Sequence, residues 1–251
     1  RTQRRSKDLS SFSGRGRRRE SSTLTMNFIS APFGNYLKHK NATSVTGSWT
    51  LMPRSGLIKQ IVKTLRYTRT GWRNKIGLRN NGIRYALKNH KKNQVMSLAA
   101  VDAGDWIQLH KYVPENASVE INISCPNMEK QVDQLLTGFD LWPSYRRKWC
   151  IAKISPTADE KLVDKLVDSG YNSIHASNTL HTEKGGLSGK VLVPHTMRLV
   201  KYIKKTHPHV QVIAGGGVTC KQDMQNYTDA GANHISLGTV CFTPWKIGGL
   251  L

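Results

Sequence analysis

The sequence predicts an α/β protein: a (β/α)8 TIM barrel over residues 26–251, behind a disordered basic tail at 1–25. Three observations carry this expectation. Eight short apolar runs recur along the chain, amphipathic stretches separate several of them, and glycine-rich or polar segments follow where the runs end. Repeated strand–helix–strand units imply a parallel sheet, and eight strands in this length match the small end of the barrel class. An open doubly wound sheet is the competing arrangement.

The tail comes first. Residues 1–25 hold eight Arg or Lys against Asp8 and Glu20, and only Leu9, Phe12 and Leu24 are sizeable hydrophobes. So little apolar surface cannot offset the entropy lost on ordering. A disordered tail is the plainest reading. A nucleic-acid arm and an Arg-rich, Ser-rich mitochondrial presequence are the other two.

The candidate strands lie near 26–31, 42–46, 94–99, 118–124, 148–154, 172–177, 210–215 and 234–238. Several are nearly all apolar and β-branched, as in strands covered on both faces. Residues 157–168 place Leu162, Val163, Leu166 and Val167 on one helical stripe. Asp159 and Glu160 suit the positive end of that helix, and Gly170 is its stop. Residues 195–205 and 220–230 read the same way. Only about ten residues separate the first two strands and twelve follow Thr239. The first and last barrel helices are therefore expected to be short or missing.

The 251 residues carry 38 Lys+Arg against 16 Asp+Glu, a net charge of +22. The tail does not explain most of it, for the other 226 residues hold 30 bases and 14 acids. Such a surface attracts phosphate, nucleic acid or an anionic membrane, and says nothing of fold. No apolar run approaches the ~18–20 residues that cross a bilayer. Cys125, Cys150, Cys220 and Cys241 are scattered, with no CxxC, which argues against a disulfide framework and a structural zinc site. Free thiols fit the cytoplasm, or a mitochondrion if residues 1–25 are a presequence.

In a barrel the chemistry sits where strands end. Gly215-Gly216-Gly217 and Gly238-Thr239 follow the seventh and eighth strands, where glycine lets backbone N–H groups approach a phosphate and a following helix N-terminus adds favourable charge. Cys125 follows the fourth strand, flanked by Asn122 and Asn127, whose amides suit a planar heterocycle with imide edges. A loop thiol there can act as base or nucleophile if its pKa is lowered, although a buried structural cysteine is the commoner fate. Lys153 closes the apolar strand CIAKIS. It needs a partner or a polar site, unless it snorkels to solvent.

INISCPN, Lys153, SNT, EKGGLSGK, VIAGGGV and GANHISLGT occur in the order found in the dihydroorotate dehydrogenase family, preceded by SVT at 44–46 and NKIGLRNNGI at 74–83. Over roughly residues 27–241 the chain resembles that family. The resemblance implies an FMN-dependent barrel that oxidises dihydroorotate to orotate in pyrimidine synthesis: a base takes the proton from C5, and hydride passes from C6 to flavin N5. Carried over by position, Cys125 is the base. Asn74, Gly77, Leu78, Asn122, Asn127, Asn178 and Thr179 surround the substrate. Ala31, Ser44, Asn122 and Lys153 lie against the flavin, and Gly189, Gly216, Gly217, Gly238 and Thr239 cradle its ribityl phosphate.

A cysteine base resembles the soluble class, with fumarate or another soluble electron acceptor and a homodimeric assembly; GGLSGK is similar to the membrane class. One departure concerns charge. Thr43 stands where the family usually has a lysine, and Lys38 and Lys40 are the nearby cations that could replace it. Two other readings remain: a related flavin barrel acting on another pyrimidine, similar to dihydrouridine synthases, and a non-catalytic basic scaffold or nucleic-acid binder.

Overall fold

The computed structural model describes residues 25–123 and 137–251. Eight parallel strands close into a barrel: β1 (Asn27–Ile29), β2 (Ala42–Trp49), β5 (Val95–Leu98), β6 (Val119–Asn122), β7 (Cys150–Ile154), β8 (Ser173–Ala176), β11 (Gln211–Gly215) and β12 (His234–Leu237). Their order around the ring is β1-β12-β11-β8-β7-β6-β5-β2. All eight coincide with the runs read from the sequence. The tail expected at 1–25 lies, but for Thr25, outside the described residues.

Strand alternation sorts side chains to two faces. Outward positions such as Met96, Leu98, Ile121, Ala152 and Ile174 join the main core beneath the helices. Inward positions fill the ring in layers. Phe28, Val45, Val95, Ile151 and Ile213 pack with Trp149 as an apolar plug. Further along the same strands the inward residues turn polar: Ser97, Glu120, His175 and Ser236, then Asn122 and Lys153, all buried. That change from apolar to polar along the barrel axis places the site.

Helices α1 (Leu57–Thr64), α2 (Gly82–Asn89), α3 (Asp105–Tyr112), α4 (Glu160–Asp168), α5 (Val193–Thr206) and α6 (Lys221–Asp229) lie between strands. In α4, Asp159 caps the N-terminus by accepting from the Leu162 N–H at 2.9 Å, and Val163 and Leu166 are buried. Gly170, with φ +93°, ends the turn that follows. As expected, the first connection holds only a 3-10 turn (Phe33–Asn35), and β12 is followed by two 3-10 turns and the four-residue Ile247–Leu250 helix.

One layer was not legible beforehand. β3 (Arg66–Thr68), β4 (Gly71–Asn74), β9 (Leu180–Thr182) and β10 (Gly185–Ser188) form a separate antiparallel sheet in the order β3-β4-β10-β9. It joins two segments far apart in sequence and contributes Asn74, His181, Thr182, Gly185, Gly186 and Ser188 to the cavity wall. Gly71 is required there. It has φ +133°, and a Cβ would run into the Ser188 carbonyl.

Candidate functional site

A cavity of about 1540 Å³ opens at the C-terminal ends of the barrel strands. Its wall includes Ser30 and Ala31 after β1, Thr46–Trp49 of β2, Asn122 and Ile123 after β6, Lys153 of β7, Ser177–Thr179 after β8, Gly216 after β11, and Gly238 and Thr239 after β12. Of the residues singled out in the sequence, Ala31, Asn74, Gly77, Leu78, Asn122, Lys153, Asn178, Thr179, Gly216, Gly238 and Thr239 share this one wall. Leu78 holds φ +55°, a left-handed state uncommon for leucine.

Other residues stand elsewhere. Ser44 is not on the wall; it is buried and its Oγ donates to the Leu37 carbonyl at 3.1 Å. Gly189 and Gly217 are also not on the wall; they adjoin each other, for a Cβ on Gly217 would come 3.1 Å from the Gly189 carbonyl oxygen. Of the two replacement cations, Lys38 is on the wall and Lys40 is not. Cys125 and Asn127 lie outside the described residues.

The helix N-terminus expected beside the glycine run already carries an anion. Asp223 Oδ2 accepts from the N–H groups of Thr219 and Cys220 at 2.7 and 3.1 Å, and Lys190 pairs with the same carboxylate.

Lys153 does not reach solvent. It is 4% exposed, and its Nζ lies 3.6 Å from Oε1 of Glu120, which is itself fully buried. β7 runs between β6 and β8, so Glu120 and His175 flank it. Glu120 accepts from Ser97 Oγ at 2.8 Å and from His175 Nδ1 at 2.7 Å. Burial alone would raise this carboxyl, but the Lys153 charge, His175 and the Ser97 hydroxyl outweigh it and hold the group at about 2. Glu120 is therefore ionised. Burial, then the Lys153 charge, lowers His175. The neutral ring must give its Nδ1 proton to the carboxylate, which leaves Nε2 a bare acceptor, buried and without a partner among the described residues.

An ionised acceptor also orders its donors. Ser97 gives its hydroxyl proton to Glu120, so it can only accept from Ser48, 2.9 Å away. Ser48 in turn accepts from Asn122 Nδ2 at 3.0 Å, and Asn122 Oδ1 accepts from Asn178 Nδ2 at 3.3 Å. The chain Asn178–Asn122–Ser48–Ser97–Glu120 thus has one polarity. It fixes which face each cavity amide presents. Ser48, Ser97, Glu120 and His175 were missed in the sequence. The available signal was Glu120, an acid inside the apolar strand SVEINIS and in phase with Asn122.

These groups make acid the weak side of the fold. Buried His234 accepts from the Met26 N–H at Nδ1 and reaches Gln211 Oε1 from Nε2, and burial lowers it to about 4. Its contribution is full above the unfolded value of 6.5 and is lost as pH falls through about 4. Glu120 has the same sign, full above its ordinary 4.5 and lost towards about 2. Urea midpoints should hold steady between pH 7 and 8 and fall continuously from pH 6.5 to 4. A flat limb over that range would contradict the His234 assignment, and the absence of a further fall from pH 4.5 towards 2 would contradict that of Glu120.

The cavity combines one buried cation, two oriented amides and glycine backbone at two strand ends. That donor set suits a flat, electron-rich ring with imide edges and an anionic tail.

Comparison with known proteins agrees. A family model described as dihydroorotate dehydrogenase matches residues 162–247. Dihydroorotate dehydrogenase B (NAD(+)) catalytic subunits from Thermotoga petrophila and Thermotoga maritima are each 29% identical over 243 residues, covering 84% of this chain and 88% of theirs. The protein of the same name from Endomicrobium trichonymphae is 27% identical over 226 residues, 78% of this chain and 72% of its own. Among solved structures, DHODH from Eimeria tenella in complex with ferulenol superposes with a TM-score of 0.69 at 19% identity, covering 89% of this chain and 78% of that one. In its barrel and over most of its length the chain is thus similar to dihydroorotate dehydrogenases, and residues 162–247 match that family's model.

Proposed function

We propose that the protein is an FMN-dependent oxidoreductase that oxidises dihydroorotate to orotate in pyrimidine biosynthesis. The observation that carries this reading is the buried Lys153 on one wall with Asn122, Asn178, Gly216 and Gly238. That donor set fits FMN, and the similarity to dihydroorotate dehydrogenases supports the substrate. When bound, FMN supplies the acceptor for the hydride that leaves substrate C6. Lys153 presents positive charge where the ring gains electrons, and Glu120 keeps it in place. Asn122 and Asn178, with amide directions set by the chain that ends on Glu120, orient the substrate's imide edge. Cys125 takes the C5 proton. Gly216 and the Gly238–Thr239 segment offer backbone to the phosphate, and Lys38 takes the place of the lysine that Thr43 lacks. The relatives' names specify NAD(+) and a catalytic subunit, which supports a soluble acceptor reached with a partner. Their bacterial sources support a cytoplasmic setting. Among the described residues no helix is long and apolar enough to cross a membrane.

The test is the visible spectrum. Purified protein reconstituted with FMN should be yellow and should bleach anaerobically on adding dihydroorotate. A bound flavin that dihydroorotate leaves oxidised would overturn the substrate. A preparation that takes up no flavin would overturn the whole reading and favour the scaffold.

A further inference from the structure

The charge of this protein is unevenly placed along the chain. The 81 residues from Ser21 to Val101 contain no Asp or Glu and fourteen Lys or Arg. Among the described residues none of these fourteen side chains enters an ion pair. The same stretch carries the exposed aliphatics Met52, Ile58 and Val62, at 69%, 77% and 70% exposure, and Tyr67 at 74%.

Helix α1 concentrates both features. None of its eight residues is buried. Leu57 and Ile61, with Leu65 just beyond, line the cavity. Ile58 and Val62, four residues apart, form a second apolar stripe that faces outward. Lys59 and Lys63 form a third stripe next to it, also exposed, and exposed Arg66, Tyr67 and Arg69 continue the surface. A helix apolar on its outer face and flanked by unpaired cations is shaped for an interface, not for bulk water.

We propose that this face docks on the surface of an anionic lipid bilayer, with Ile58 and Val62 entering the boundary between headgroups and acyl chains and Lys59, Lys63, Arg66 and Arg69 meeting lipid phosphates. The charges select this occupant. A second copy of the same acid-free face would be repelled. A nucleic acid would satisfy the cations but would gain nothing from two branched aliphatic side chains; a bilayer uses both. Because the opposite side of α1 walls the cavity, docking would set the membrane against that wall. The inference stands on α1 and its neighbours alone and holds whether or not dihydroorotate is the substrate.

Full-length protein should float with vesicles of mixed phosphatidylglycerol and phosphatidylcholine at low salt, and at least about tenfold less with phosphatidylcholine alone. The double variant Ile58→Ser/Val62→Ser should partition about tenfold more weakly while keeping its circular dichroism and urea midpoint, since both side chains are exposed. The Arg-rich tail is present in both proteins, so their difference isolates α1. Equal partition of parent and variant would overturn the proposal, as would absence of flotation. So would a single-stranded RNA that, at matched charge concentration, removes the parent from the vesicles and binds the variant equally well.

Discussion

Lys153→Met should strip the protein of flavin and lower its unfolding free energy by about 3–5 kcal/mol, the usual cost of removing one partner from a buried ion pair. The substitution keeps volume and removes only charge. Glu120 would lose its counterion, which stood 3.6 Å away, in a fully buried site where burial drives its carboxyl up. His175 and Ser97 would still hydrogen-bond to it, but neither brings a full charge. The double variant Lys153→Met/Glu120→Gln should recover most of the lost stability, because no isolated charge remains, and should still fail to hold FMN. Urea denaturation and the flavin-to-protein absorbance ratio after gel filtration separate the two effects. If Lys153→Met were as stable as the parent and kept its flavin, the proposed site would be misassigned at its centre.

Cys125→Ala should retain FMN yet slow its anaerobic reduction by dihydroorotate by ~10²-fold or more, the scale of a lost general base. Cys125 is three residues beyond Asn122, a tether of at most about 11 Å from a residue on the cavity wall. The deficit should belong to the chemical step. It should persist at saturating dihydroorotate in stopped-flow traces, since alanine removes the proton acceptor and leaves Asn122, Asn178 and Lys153 in place. A reduction rate equal to the parent's would take the base role from Cys125.

What the sequence disclosed and what it hid have one cause. Barrel strands sandwiched between a filled ring and a layer of helices are apolar on both faces, so runs such as VQVIAG and CIAKI stood out by local composition alone. The small antiparallel sheet did not. Its strands RYT, GWRN, LHT and GGLS are three or four residues long with no apolar run, and the β4–β10 pairing that unites them joins residues more than a hundred apart. Lys153 was visible as an anomaly because it interrupts an apolar strand. Its partner was not, since nothing local says that Glu120, 33 positions earlier, lies on the neighbouring strand. Ser44 stands apart from the other residues carried over by position. It faces away from the ring interior and donates to the Leu37 carbonyl, which follows a first connection reduced to a 3-10 turn.

The roof over the cavity has a consequence for how the molecule is made. Asn74 is registered against Gly186, 112 positions later. Loop closure of that length is entropically slow to reward, and a ribosome releases the earlier strand well before the later one exists. A nascent first half therefore lacks β7 to β12, and with them Lys153, Asn178 and the glycine strand ends, so the cavity wall is complete only after the second half has emerged.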